Sequence, residues 1–165
     1  MTDPSLRTAE NPAGTGHAAD LPTGEVIVSS LPGAPLAQLM RAGNHQLTAD
    51  EPVDVGGGDA GPNPYDLLLM ALGACTSMTV RLYADRKGWP LEGVVVSLRH
   101  ERLHGRDCLD CDAATTRMER ITVTLAFYGP LDEAQQARLL EIAHKCPVHR
   151  TMAGGLEIVT GLAGV

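Results

Sequence analysis

Apolar positions along this chain change period several times, and each change marks an element. Gly24 to Leu31, containing Glu25-Val26-Ile27-Val28, reads as a strand, Pro32-Gly33 as a turn, and Leu36 to Leu47 as a returning strand pair. Asp54 to Pro62 carries Gly56-Gly57-Gly58 and Gly61-Pro62 and reads as a flexible loop. It is not expected to cradle phosphate, because the Gly-Lys-Ser/Thr ending is missing and Pro62 has no N–H to donate.

The pattern then turns helical. Asn63 is a cap, Pro64 suits the first turn because its missing N–H would be unpaired there, and Asp66 sets negative charge at the positive helix end. A helix is predicted from Pro64 to about Lys87, with Gly88 ending it. Leu67 to Leu72, Ala74, Met78, Val80 and Leu82 leave almost no polar face, so it is expected to be buried on most sides. A chain this short has difficulty covering such a helix alone, and a homodimer would cover it.

Val94 to His104 alternates as a strand, pairing with a second from Arg120 to Tyr128. Asp132 followed by Gln135 is a capping-box pattern opening a helix that carries Ala137, Leu139, Leu140, Ile142 and Ala143. Cys146 continues its apolar side, and Pro147 stops it and starts a short helix through His149 and Met152. A closing strand at Leu156 to Thr160 completes an α+β fold of antiparallel sheets with a long central helix. Residues 1–22, rich in Pro, Gly, Ala and Asp, read as a disordered tail before one domain over 23–165.

Composition narrows the function. The chain has 165 residues, 44% of them hydrophobic, enough for a real core without disulfide staples. A net charge of −7 argues against nucleic-acid and anionic-membrane partners, which require a basic footprint. Gly73, Thr76, Ser77, Thr79 and Arg81 interrupt the most apolar stretch, so no membrane span is expected. The start of the chain has neither the basic nor the apolar region of a secretory signal, and the expected location is cytoplasmic. In that reducing setting four cysteines point to catalysis, redox chemistry or metal binding.

Cys75 lies about three turns into its helix, where the dipole has faded and a thiolate would need a cationic neighbour. Cys146 is better placed, with Lys145, His149 and Arg150 close in sequence and free N–H groups after Pro147. Either thiol could be simple packing. However, Gly61-Pro62-Asn63-Pro64, Leu72-Gly73-Ala74-Cys75 and Lys145-Cys146-Pro147-Val148-His149 together resemble the OsmC/Ohr superfamily over roughly residues 24–162. The resemblance implies an intertwined homodimer and a thiol peroxidase that needs no cofactor. Cys75 would attack an organic hydroperoxide, Cys146 would resolve the resulting sulfenic acid as a disulfide, and a dithiol reductant would restore both.

The sequence departs from the peroxidase pattern where an Arg and a Glu activate the first thiol. Tyr65 stands at the Glu position, and Asp66, a carboxylate one residue on and turned by about 100° on a helix, is the candidate to substitute for the Glu. Arg41 is the candidate for the Arg. Gly43, His45 and Gln46 resemble the YhfA-type branch instead, and His45, Tyr65, Met78 and His149 are the substrate-binding candidates. A rival reading keeps the fold without the chemistry: a dimer that binds a hydrophobic or thiol-bearing ligand between subunits. Separately, Cys108 and Cys111 form a C-x-x-C that with His104 could hold zinc, or else form a reversible disulfide or a solvated loop.

Overall fold

In the computed structural model, which describes residues 21–103 and 118–154, the first three strands form one antiparallel sheet in the order β1-β2-β3. β1 is Ile27–Ser30, β2 is Gln38–Ala42 and β3 is His45–Ala49. β1 is shorter than its sequence predicts because the Glu25 N–H turns back to the Pro22 carbonyl and Gly24 takes φ +89°. β2 and β3 meet at a two-residue turn whose first position, Gly43, has φ +54°, the positive value that such hairpins require there.

The glycine-rich loop is organised around a carboxylate. Asp50 is buried, and its oxygens accept N–H bonds from Glu51 (2.9 Å), Gly58 (2.9 Å) and Ala60 (3.2 Å). A Cβ at Gly57 would lie 1.8 Å from the Glu51 carbonyl oxygen, and one at Gly61 2.1 Å from that of Thr48. The glycines thus permit close approach of backbone to backbone, where flexibility had been expected. Burial raises the Asp50 pKa, but the Ala60, Gly58 and Glu51 amides outweigh it and hold the carboxyl below its ordinary value.

The chain divides into two compact units with the boundary between Leu67 and Leu68. Helix α1, Pro64–Lys87, has the bounds its sequence predicts. Asn63 accepts the Asp66 N–H at 3.0 Å and returns a side-chain bond to the Asp66 carboxylate at 2.7 Å. At the far end Gly88 has φ +64°, its N–H reaches the Asp85 carbonyl and that of Trp89 reaches Ala84, which is a Schellman closure.

In the second unit β4 (Gly93–Leu103) and β5 (Met118–Tyr128) form an antiparallel ribbon, followed by α2 (Glu133–Ala143) and α3 (Pro147–Ala153). The Asp132–Gln135 capping box is formed. The ribbon alternates: Val94, Val96 and Leu98 with Val123, Leu125 and Phe127 are half-buried, whereas Val95, Ser97, Thr122 and Thr124 are exposed. Val80, Ala84, Leu91, Leu139 and Ala143 make the core, with Trp89, Leu125 and Phe127 packed against it. Gly73 lets β4 approach α1, since a Cβ there would meet Leu98 Cδ1 at 2.8 Å.

Two expectations for α1 change. Within the single chain it buries one line, Leu72, Gly73, Thr76, Val80 and Ala84, and leaves Met70, Met78 and Leu82 exposed, the last two on the opposite face. It is also long and apolar enough to cross a membrane despite its polar interruptions, although its buried line packs as a core helix does. Arg81, one of those polar interruptions, donates to the Leu91 and Glu92 carbonyls and fastens α1 to the turn before β4. The tail before residue 21 and the closing strand at 156–160 lie outside the described residues.

Leu139 is fully buried, so Leu139→Ala is expected to cost about 2–5 kcal/mol in urea unfolding. With its pKa depressed on folding, Asp50 stabilises the fold above the unfolded carboxylate value of about 3.9. That contribution is lost as pH falls through the lower folded value. Asp50→Asn should therefore lower the Tm by several degrees at neutral pH, with a smaller difference in acid, and speed hydrogen exchange at Gly58 and Ala60.

Candidate functional site

Two cysteines far apart in sequence meet in the second unit. Packing of Val80 and Ala84 on Leu139 and Ala143 holds α1 against α2. The same contact brings Cys75, on α1, to Cys146, which follows α2 and caps α3. Both thiols are free, and they lie close enough for each to shift the ionisation of the other. Cys146 is 0% exposed, whereas Cys75 is half-buried.

The two sulfurs have opposite electrostatic settings. Pro147 at the first position of α3 carries no N–H, so the first amides facing its cap are those of Val148 and His149. Neither closes a full cap hydrogen bond, yet both polarise the Cys146 sulfur. Burial alone would push the Cys146 thiol up, but the Cys75 S–H, the His149 amide, the Thr76 hydroxyl and the Val148 amide outweigh it and hold the thiol below its ordinary value. Cys75 is pushed up by burial and by the Cys146 sulfur beside it, against the Val148 amide and Thr79. The Thr79 hydroxyl hydrogen is itself engaged, donating at 2.7 Å to the Cys75 carbonyl.

A cleft of ≈ 330 Å³ is bounded by residues on three elements: Leu72 of α1, Ile121 and Val123 of β5, and His149, Met152 and Ala153 of α3. Its polar rim includes Glu119, whose carboxylate lies 3.4 Å from His100 Nε2. His149 thus serves twice, by its amide at Cys146 and by its side chain at the cleft, where its ring meets that of His144 edge-on at 5.8 Å.

Of the residues singled out by sequence, the second unit brings together Cys75, Cys146 and His149. Met78 lies on α1 but is 65% exposed, on the face turned from the core. Arg41 is half-buried on β2 opposite Gln46, and His45 is exposed where β3 begins, both in the first unit. Tyr65 is exposed in the first turn of α1, and the Asp66 carboxylate is bonded to Asn63. His104, Cys108 and Cys111 lie outside the described residues. Thr76 was missed, although it is the one polar residue on the line Leu72, Thr76, Val80, Ala84, a signal present in the sequence. Glu119 and His100 were missed as a pair because only the ribbon register sets them on one face.

A long helix, antiparallel sheets and two neighbouring thiols, one buried and one half-buried, define an α+β protein with a two-thiol site. The family profile described as OsmC-like protein matches residues 56–161, and the chain belongs to that family. Solved structures with the same fold include an OsmC-like protein from Mycoplasma pneumoniae, 19% identical over 79% of this chain and 86% of the other, with a TM-score of 0.62. An organic hydroperoxide resistance protein OsmC from Legionella pneumophila is 19% identical over 79% and 90%, TM-score 0.57. OhrB, the organic hydroperoxide resistance protein of Bacillus subtilis, is 16% identical over 79% and 90%, TM-score 0.55. No curated protein matches the sequence.

The reduced pair is expected to titrate in two separated steps, one below and one above the free-thiol value of about 8.5. Thiolate ultraviolet absorbance against pH would record both, and Cys146→Ala should abolish the lower step.

Proposed function

We propose that this protein reduces organic hydroperoxides with its two thiols. Cys75 attacks the peroxide and becomes a sulfenic acid, Cys146 captures it as a disulfide, and a dithiol reductant returns the pair to the start. The observation that carries this reading is the meeting of two free thiols, Cys75 half-buried and Cys146 buried. The neighbouring organic hydroperoxide resistance proteins support the choice of substrate. Arg41 is the proposed cation for the thiolate, and the cleft beside His149 would take the apolar part of the peroxide. Gly43, His45 and Gln46 favour the YhfA-type branch within the family.

The working unit is proposed to be a homodimer that covers the exposed α1 face of Ala71, Ala74, Met78 and Leu82. Light scattering should give twice the 17.4 kDa chain mass, and Met78→Arg should shift the protein toward the single chain.

One equivalent of cumene hydroperoxide added to reduced protein should produce a Cys75–Cys146 disulfide in non-reducing peptide maps. Cys75→Ser should abolish peroxide consumption, and full turnover by that variant would refute the assignment. Cys146→Ser should leave a sulfenate that over-oxidises. A second reading, a dimer that binds a hydrophobic or thiol-bearing ligand without turnover, is favoured by the raised pKa of Cys75. Two unreacted thiols after peroxide treatment would select it.

A further inference from the structure

We propose that Met152 is a modification site: an organic hydroperoxide held in the cleft oxidises the Met152 thioether to the sulfoxide, and the altered wall then holds apolar ligands more weakly. This role rests on the peroxidase reading above and names a regulation of that same site.

The cleft brings a soft sulfur and an oxidant together. Its volume of ≈ 330 Å³ suits a small organic molecule, and Leu72, Ile121, Val123, Met152 and Ala153 make most of its wall apolar. A hydroperoxide with an apolar body is therefore concentrated beside Met152, whereas hydrogen peroxide, which has no such body, is not. Met152 stands on α3, the helix that Cys146 caps, so the cleft wall and the thiol site share one short element. It is 37% exposed, open enough to react but less open than Met70 at 56%. Exposure alone would thus favour Met70.

The effect on the cleft follows from what the oxidation does to the wall. A thioether is apolar and polarizable and packs well on hydrocarbon, whereas a sulfoxide is polar. An apolar ligand seated against Leu72, Ile121 and Val123 would cover the new oxygen with hydrocarbon, which costs binding. Abundant peroxide would in this way lower the affinity of the cleft for more of it.

The step balances. The Met152 sulfur gives an electron pair to the terminal peroxide oxygen, and the S–O bond forms as the O–O bond breaks. The departing alkoxide takes the proton carried by the transferred oxygen and leaves as the alcohol. Sulfur loses two electrons and the peroxide gains them. Restoration takes a dithiol, which becomes a disulfide while the oxygen leaves as water.

Reduced protein is treated with an excess of cumene hydroperoxide or, separately, of hydrogen peroxide, and peptide mass spectrometry follows sulfoxide formation at Met70 and Met152. The ratio of the two rates at each methionine divides out its exposure, and at Met152 that ratio should exceed the one at Met70 by about fivefold or more. Equal ratios, or a Met152 that stays unoxidised, would overturn the proposal. The same maps report the Cys75–Cys146 disulfide. Its absence beside a selectively oxidised Met152 would reject the peroxidase reading and leave the modification site standing, and its presence beside an unselective Met152 would do the reverse. Binding of 2-phenyl-2-propanol, the alcohol product, tests the effect on the cleft without turnover. In NMR titrations Met152→Gln, which puts a polar group of similar length in the wall, should bind this alcohol roughly tenfold more weakly than Met152→Leu. Equal affinities of the two variants, or no binding by the native protein, would overturn the loss of affinity.

Discussion

The second unit depends on a dry contact between α1 and α2, in which Val80 and Ala84 meet Leu139 and Ala143 with almost no exposed surface. Burial of these side chains sets the distance and rotation of the two helices, and the thiol pair follows from it. Close-packed interiors tolerate little adjustment, so the position of Cys146 against α1 is fixed by the same side chains that stabilise the fold. Chemistry and stability therefore share one set of contacts.

That sharing accounts for the electrostatic division within the pair. Total burial would penalise a thiolate at Cys146, and it is countered by groups that the fold places there anyway: the amides left free at the start of α3 and a hydroxyl on the buried line of α1. Cys75, inside a continuous helix, has its own backbone amide committed to the helix ladder. Helix termini offer unpaired donors and helix interiors do not, so the two cysteines differ in charge preference because of where they stand in secondary structure.

Much of this was legible in the sequence because local chemistry dictates it. Asn63-Pro64 and Asp132 with Gln135 announced two helix starts, Gly88 an end, and Pro147 the first residue of α3. The alternation in β4 and β5 gave the ribbon, and the motifs around Cys75 and Cys146 gave the family. What could not be read depends on contacts between distant segments. The wrapping of the glycine-rich loop on Asp50 needs the β3 end and residues 58–60 in register, and the Arg81 bonds need the turn before β4. Likewise the burial of α1 was overestimated because a uniformly apolar helix does not disclose which of its faces the chain itself will cover.

Gly73 carries a further consequence. It stands two residues before Cys75, at the point where Leu98 of β4 presses on the helix, so that one more carbon atom there requires the Leu98 side chain to move aside. Growth at one of these positions has to be met by shrinkage or a turned side chain at the other. Positions 73 and 98 should therefore evolve as a couple, with their combined volume held nearly constant while the cysteines stay fixed.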